Sequence, residues 1–134
     1  EGDAILVDTS AIAAYMNEAP APTPVPVPAW QTTSLEQGRE LFQSRCIGCH
    51  AGDQLRDGMK HKVVANSDDP DGVMALVDTP SLIAVRSTAP YLHDGRAAGL
   101  RDVVLTHNPN DTHGQVSDLN DEDIAALLIY LRSL

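Results

Sequence analysis

The sequence predicts an all-α domain with a loop-rich middle, preceded by an extended, proline-rich N-terminal arm. Three observations support this fold class. Apolar residues recur at helical spacing close to the C-terminus. A second helical pattern leads directly into a pair of closely spaced cysteines, and prolines alternate with small residues over 19–28. The chain accordingly divides into an arm (1–18), a proline-rich linker (19–32) and a globular domain (33–134).

The arm is expected to contain short secondary structure, and the linker is expected to act as a spacer. The apolar run 4–7 suits a short strand, and Ser10 is placed to cap a helical turn that extends to Met16. The proline alternation removes backbone donors and favours an extended polyproline II segment, which acts as a semi-rigid spacer. A spacer implies that the arm docks on a partner chain or on a distant face of the same molecule; a loose terminus is the alternative.

The first helix of the domain is predicted to start near Thr33. The residues from Thr33 to Glu36 have the form of a capping box, in which a hydroxyl and a carboxylate satisfy each other's backbone donors. The helix that follows carries Leu35, Leu41 and Phe42, and Gly38 is small enough to allow close contact with another helix.

The last helix supplies the predicted contact. Asn120 can cap it, and three acidic residues in its first turn suit the positive end of the helix dipole. A buried stripe follows at helical spacing, made of Ile124, Leu127, Leu128 and Leu131. We therefore expect the first and last helices of the domain to cross.

The sequence Cys46-Ile47-Gly48-Cys49-His50 indicates the chemistry. Two thiols separated by two residues and followed at once by histidine form the attachment signature of c-type haem. The thiols bind the haem vinyl groups covalently, and the imidazole ligates the iron. A redox dithiol would need a βαβ setting, and zinc would need more soft ligands than these two cysteines. The motif therefore predicts one covalently attached haem c and a class I cytochrome c-like domain.

Composition limits the partners. The 134 residues carry 9 Lys+Arg against 19 Asp+Glu, a formal charge of -10, which argues against nucleic acid and anionic membrane surfaces. No apolar run is long enough to span a bilayer. Basic residues bracket the haem motif, and they could steer an acidic redox partner or simply form a solvated surface: Arg39, Arg45, Arg56, Lys60 and Lys62.

Three linked phrases carry a family resemblance. Residues 79–85 (TPSLIAV), 88–98 (TAPYLHDGRAA) and 100–104 (LRDVV) resemble the C-terminal haem domain of bacterial di-haem cytochrome c peroxidases and MauG-type proteins. The resemblance runs from about Leu35 to the end of the chain. Those peroxidases have two haem motifs, whereas this chain has one. The resemblance therefore implies the electron-relaying half rather than a complete peroxidase.

The sixth ligand of the iron is predicted to be a histidine. Leu100, Val103 and Val104 share one helix face, and His107 follows on that face at i+7. The resemblance places His107 where relatives present methionine, tyrosine or histidine. We therefore expect His50 and His107 to hold the iron, with Met59 and Met74 as alternatives and Met16 too far upstream.

Four further residues are expected to line the haem without binding iron. They are His61, Pro90, His93 and Arg96, of which His61, His93 and Arg96 are candidates to contact the propionates. His113 is expected to be a loop residue.

The predicted function is that of a single-haem electron carrier or relay module, within or docked to a larger redox complex. Two alternatives stay open: a peroxidase-like haem enzyme with an open or displaceable sixth position, and a haem subunit with an architectural role in a multi-haem assembly. Because bacteria attach haem c outside the cytoplasm and the chain begins at Glu1, we expect a processed, periplasmic or otherwise extracytoplasmic protein.

Overall fold

The computed structural model describes residues 9–20, 22–63 and 76–134. Three α-helices are present in these ranges: α1 (Thr9–Glu18), α2 (Thr32–Arg45) and α3 (Asp121–Ser133). The all-α prediction is confirmed. The predicted strand at 4–7 and the candidate ligand Met74 lie outside the described residues.

Helices α2 and α3 pack against each other and enclose the core. Phe42 and Leu127 are fully buried at its centre. The two backbones approach most closely at Gly38, where an added Cβ would overlap the carbonyl of Ala126 and press on Tyr130. Both the crossing of the helices and the role of Gly38 are therefore confirmed.

The predictions for the N-terminal caps of α2 and α3 had different outcomes. Asn120 caps α3 as predicted: its Oδ1 accepts from the amides of Glu122 and Asp123, both at 2.9 Å, and the Asp123 carboxylate accepts from the Asn120 amide. The predicted capping box at Thr33 is wrong. A 3-10 turn at Ala29–Gln31 leads directly into α2. The helix begins at Thr32, so Thr33 lies inside it and cannot be its N-terminal cap.

The middle of the chain contains short elements that periodicity did not predict. Strand β1 (Lys60–His61) pairs antiparallel with β2 (Val77–Asp78), with Lys60 opposite Asp78. A 3-10 turn follows at Val85–Ser87, and Tyr91 bridges Ala97 across a tight loop. Loops therefore dominate residues 51–63 and 76–120, the described parts of the chain between the motif and α3, as expected.

A π-helical turn occupies Asp102–Thr106, in the segment predicted as one face of an α-helix. The amide of His107 donates to the carbonyl of Asp102 at 2.9 Å, five residues earlier. A π-turn holds more residues than an α-turn. The α-helical spacing that aligned His107 with Leu100 and Val104 is therefore interrupted before His107.

The arm and the linker differ in their surroundings. Helix α1 starts one residue before the predicted cap Ser10 and buries none of its residues, and Ile12, Tyr15 and Met16 are exposed. The linker instead lies along the end of α3, where residues 25–28 share a shallow pocket with Ile129 and Arg132. Within the described ranges, every helix falls short of the length and apolar character needed to cross a bilayer.

Candidate functional site

The Cys46–His50 motif forms a turn that continues directly from α2. Cys46 is the C-terminal cap of the helix, and its amide donates to the carbonyl of Phe42 at 2.8 Å. The amides of Cys49 and His50 then donate to the carbonyl of Cys46 at 3.2 and 3.0 Å. The turn thus holds both thiols and the imidazole close to the end of one rigid helix, and neither cysteine is in a disulfide.

Both thiols have chemistry that is unsuited to a redox dithiol. Burial, together with the neighbouring Cys49, raises the pKa of Cys46 to about 11. Burial and the Asp57 carboxylate also raise the pKa of Cys49. Reactive dithiols depend instead on a lowered thiol pKa. The motif is therefore better suited to carry a covalently attached group than to exchange disulfides.

A second cluster lies beside Cys49. The Cys49 sulfur, an Asp57 oxygen and a His61 nitrogen lie within 4.8 Å of one another. Structural zinc takes four ligands, and this cluster offers three among the residues that the structure describes. The cluster therefore gives little support to the zinc alternative.

The imidazole of His50 is held in one orientation. His50 is 9% exposed, and its Nδ1 lies 3.0 Å from the carbonyl oxygen of Leu55. The backbone of Leu55 is left-handed (φ 50°), in a turn between Gly52 and Gly58 that aims this carbonyl at the ring. Metal-binding histidines commonly donate their other N–H to such a carbonyl. The contact therefore assigns the proton to Nδ1 and leaves Nε2 to bind a metal.

His113 lies in a loop, as the sequence predicted, and its ring is close to that of His50. The ring centroids of the two histidines are 6.3 Å apart, and the ring planes are inclined by 36°. Burial, with a contribution from His50, lowers the pKa of His113 to about 4. No helical or strand periodicity in the sequence points to His113. The only local signal for its position is the glycine that follows it.

His107, the predicted sixth ligand, caps the π-turn and is half-buried. Among the described residues, the ring contacts of His50 are with Phe42 and His113. The structure therefore does not bring the His107 ring against His50. The alternative ligand Met59 is 61% exposed.

Of the four predicted lining residues, only His61 lies beside the motif. Its Nε2 is 2.6 Å from Asp57 Oδ2. Hydrogen bonds, first of all from the Met59 amide, lower the pKa of Asp57 to about 2. This carboxylate is therefore ionised at neutral pH.

The other three lining residues share a separate loop. Arg96 pairs with Asp94, with 2.5 Å between Nε and Oδ2, and His93 and Pro90 are exposed. In the described part of the chain, no hydrogen bond or ion pair joins this loop to the Cys46–His50 turn. Their contact with haem stays a prediction.

With this geometry in place, the sequence comparisons become informative. The sequence model of the cytochrome c family matches residues 35–134. This chain belongs to the cytochrome c family. The prediction of a c-type cytochrome with one covalent haem c is thereby confirmed, and Cys46 and Cys49 fit its attachment.

The chain is similar over part of its length to hydrazine synthase in two comparisons. Hydrazine synthase subunit gamma of Kuenenia stuttgartiensis is 38% identical over 58 residues, which cover 42% of this chain and 16% of that protein. A solved structure of K. stuttgartiensis hydrazine synthase, pressurised with 20 bar xenon, has a TM-score of 0.74 at 24% identity. That match covers 92% of this chain and 54% of the other, so the likeness shows the fold and extends into residues before Leu35.

The residues of the turn fit a haem. Two free thiols and a buried imidazole with a fixed tautomer match the groups that attachment and ligation require. His50 is the residue of the motif that would hold the iron.

Proposed function

We propose that this cytochrome is an electron carrier or relay module that works within, or docks on, a larger extracytoplasmic redox complex. Haem supplies a centre that gains and loses one electron. The observation that carries the proposal is the second imidazole at the site: the ring of His113 lies 6.3 Å from that of His50. A histidine that filled the iron position opposite His50 would favour electron transfer over the binding of a substrate such as peroxide.

The residues around His50 support this role. The Leu55 carbonyl holds the imidazole still, so that His50 can keep one geometry in both oxidation states. The negative charge of Asp57, beside Cys49, favours the oxidised state and lowers the reduction potential. His61 donates its Nε2–H to this carboxylate and so disperses part of the negative charge.

The proposed partners are redox proteins. The similarity to a subunit of a synthase supports assembly with other chains. Of the basic residues near the motif, Arg45 is engaged by Asp118, with 2.8 Å between Nη2 and Oδ2. Arg56, Lys60 and Lys62 stay exposed and form the basic surface that we propose for an acidic partner. The exposed apolar side chains of α1 suit a second contact through the arm.

Reduction and peroxide challenge of the holoprotein test the proposal. We expect one reversible one-electron transition, fast electron exchange with small redox dyes, and no catalysed consumption of hydrogen peroxide. A ferric form that turns over peroxide would favour the peroxidase-like alternative. A stable multimer that depends on residues 1–18 would favour the architectural one.

A further inference from the structure

We propose that His113 is the sixth ligand of the haem iron, so that the iron is held between His50 and His113 and His107 lies outside the ligand set. The inference rests on the proposed function only in assuming that haem is bound. It differs from the expectation based on helical spacing, and it follows from the positions of the two rings and from the contacts that fix them.

The distance between the rings fits a metal between them. A bond from a metal to an imidazole nitrogen is about 2.0–2.1 Å long, so two imidazoles that bind one ion from opposite sides have centroids roughly 6 Å apart. The observed separation of His50 and His113 is 6.3 Å. Face-to-face stacking would bring the rings closer, although the tilted pair of Phe42 and His50 has a similar separation, 6.5 Å. No hydrogen bond joins His50 and His113 among the described contacts.

The backbone of His113 is clamped by one buried side chain. Asn108 is 4% exposed. Its Oδ1 accepts from the amide of His113 at 2.8 Å, and its Nδ2 donates to the carbonyls of His113 and Gly114 at 3.3 and 2.8 Å. A buried amide that makes three bonds to two adjacent residues fixes the position from which the His113 side chain extends.

The same loop is anchored to the helix that leads into the haem motif. Arg45, the last residue of α2, donates to both carboxylate oxygens of Asp118, at 2.8 and 3.2 Å. Gly114 (φ 84°) packs against the Arg45 carbonyl, which lies 3.5 Å from the position of an added Cβ. His50 and His113 are therefore held relative to each other through the end of α2.

The ring of His113 is chemically ready to bind iron. In the described residues, no hydrogen bond engages either ring nitrogen, whereas the amide and the carbonyl of His113 both bond to Asn108. A half-buried imidazole whose nitrogens make no protein hydrogen bond is well suited to an iron bond.

Paired histidine variants test this assignment on the holoprotein, produced in a host that attaches haem c. Wild-type protein should be low-spin in both oxidation states. His113→Ala should give a high-spin ferric spectrum, should bind carbon monoxide when reduced, and should return to low spin on addition of imidazole. His107→Ala should keep the wild-type spectrum and potential.

Two results would overturn the assignment. A His113→Ala protein that stays low-spin and does not bind carbon monoxide would show that His113 is not the sixth ligand. A high-spin His107→Ala protein would show that His107 is. If His113→Ala does not mature, His113→Met serves instead: it should stay low-spin, gain a methionine-to-iron charge-transfer band and rise in reduction potential. An unchanged spectrum and potential in that variant would also overturn the assignment. Peroxide turnover by wild-type protein bears on the proposed function alone, so the two failures are distinguishable.

Discussion

At the scale of single residues, the haem site depends on polar contacts that fix the two imidazoles. The Leu55 carbonyl orients His50, and Asn108 holds the loop that carries His113. Neither contact makes or breaks a bond to iron. Their effect is to set the geometry in which the two rings face each other, and the cost of removing them can be measured.

Replacing Asn108 tests the clamp. Asn108→Ala leaves two carbonyls and one amide beside a buried position without partners, so we expect a loss of about 1–3 kcal/mol in the free energy of unfolding. If His113 binds iron, the ferric spectrum should also show a high-spin fraction. Denaturant titration and absorption spectra measure both effects. Asn110→Ala, at an exposed asparagine in the same loop, is the matched control.

The Asp57 carboxylate predicts a dependence of stability on acidity. Its pKa falls from 3.8 to about 2 in the folded protein, first because of the Met59 amide. The depressed folded pKa means that Asp57 stabilises the fold above about pH 4 and that this contribution is lost as the pH falls towards 2. Asp57→Asn should therefore be less stable at pH 7 and should lose less stability between pH 4 and pH 2. Asp53→Asn, at a nearby exposed residue, should follow the wild-type curve.

At the scale of elements, the crossing of α2 and α3 positions the haem motif. Gly38 permits the crossing because it has no side chain, and the backbone of Ala126 occupies the space that a Cβ would take. This feature could be predicted from the sequence, since a glycine in a good helical pattern implies a close contact. The cap at Asn120 was predictable for a similar reason: its signal lies within four consecutive residues.

Helix spacing points the sequence prediction to His107 and not to His113, the ligand that we propose. The stripe from Leu100 to His107 assumes 3.6 residues per turn, whereas the hydrogen bond from His107 to Asp102 spans five residues. A π-turn is defined by its hydrogen bonds and has no compositional mark. The position of His113 depends on Asn108 and Arg45, which are distant in sequence or outside any periodic pattern, so no local signal could reveal it.

Replacing Gly38 tests the helix crossing. Gly38→Ala should lower the free energy of unfolding by about 1–3 kcal/mol, because overlap with the Ala126 backbone outweighs the gain in helix propensity. Gln43→Ala, at an exposed position of the same helix, should leave stability nearly unchanged. Thermal unfolding of the two holoproteins measures the difference. Equal midpoints for the two variants would show that the helices do not meet at Gly38.

At the scale of the whole molecule, the arm and the linker have separate roles. The linker is part of the domain surface: residues 25–28 line a pocket with α3, and Arg86 Nη2 donates to the Thr23 carbonyl at 3.1 Å. Helix α1 keeps its apolar side chains exposed. The linker therefore does more than separate two bodies, and the arm is the segment that is suited to contact another chain.

Two truncations separate these roles. Removal of residues 1–18 should leave the haem spectrum and the unfolding midpoint unchanged while it weakens any self-association seen by sedimentation. Removal of residues 1–28 should also leave the haem spectrum unchanged. It should lower the unfolding midpoint, because the apolar side chain of Ile129 becomes exposed to water. A normal midpoint after the longer truncation would show that the linker contributes nothing to stability.

We propose that the protein holds one covalent haem whose iron lies between two imidazoles. Near-infrared magnetic circular dichroism of the ferric holoprotein tests this proposal, because the energy of the charge-transfer band identifies the pair of axial ligands. We expect the band of low-spin iron with two histidine ligands. A band typical of histidine and methionine, or a high-spin spectrum, would contradict the proposal.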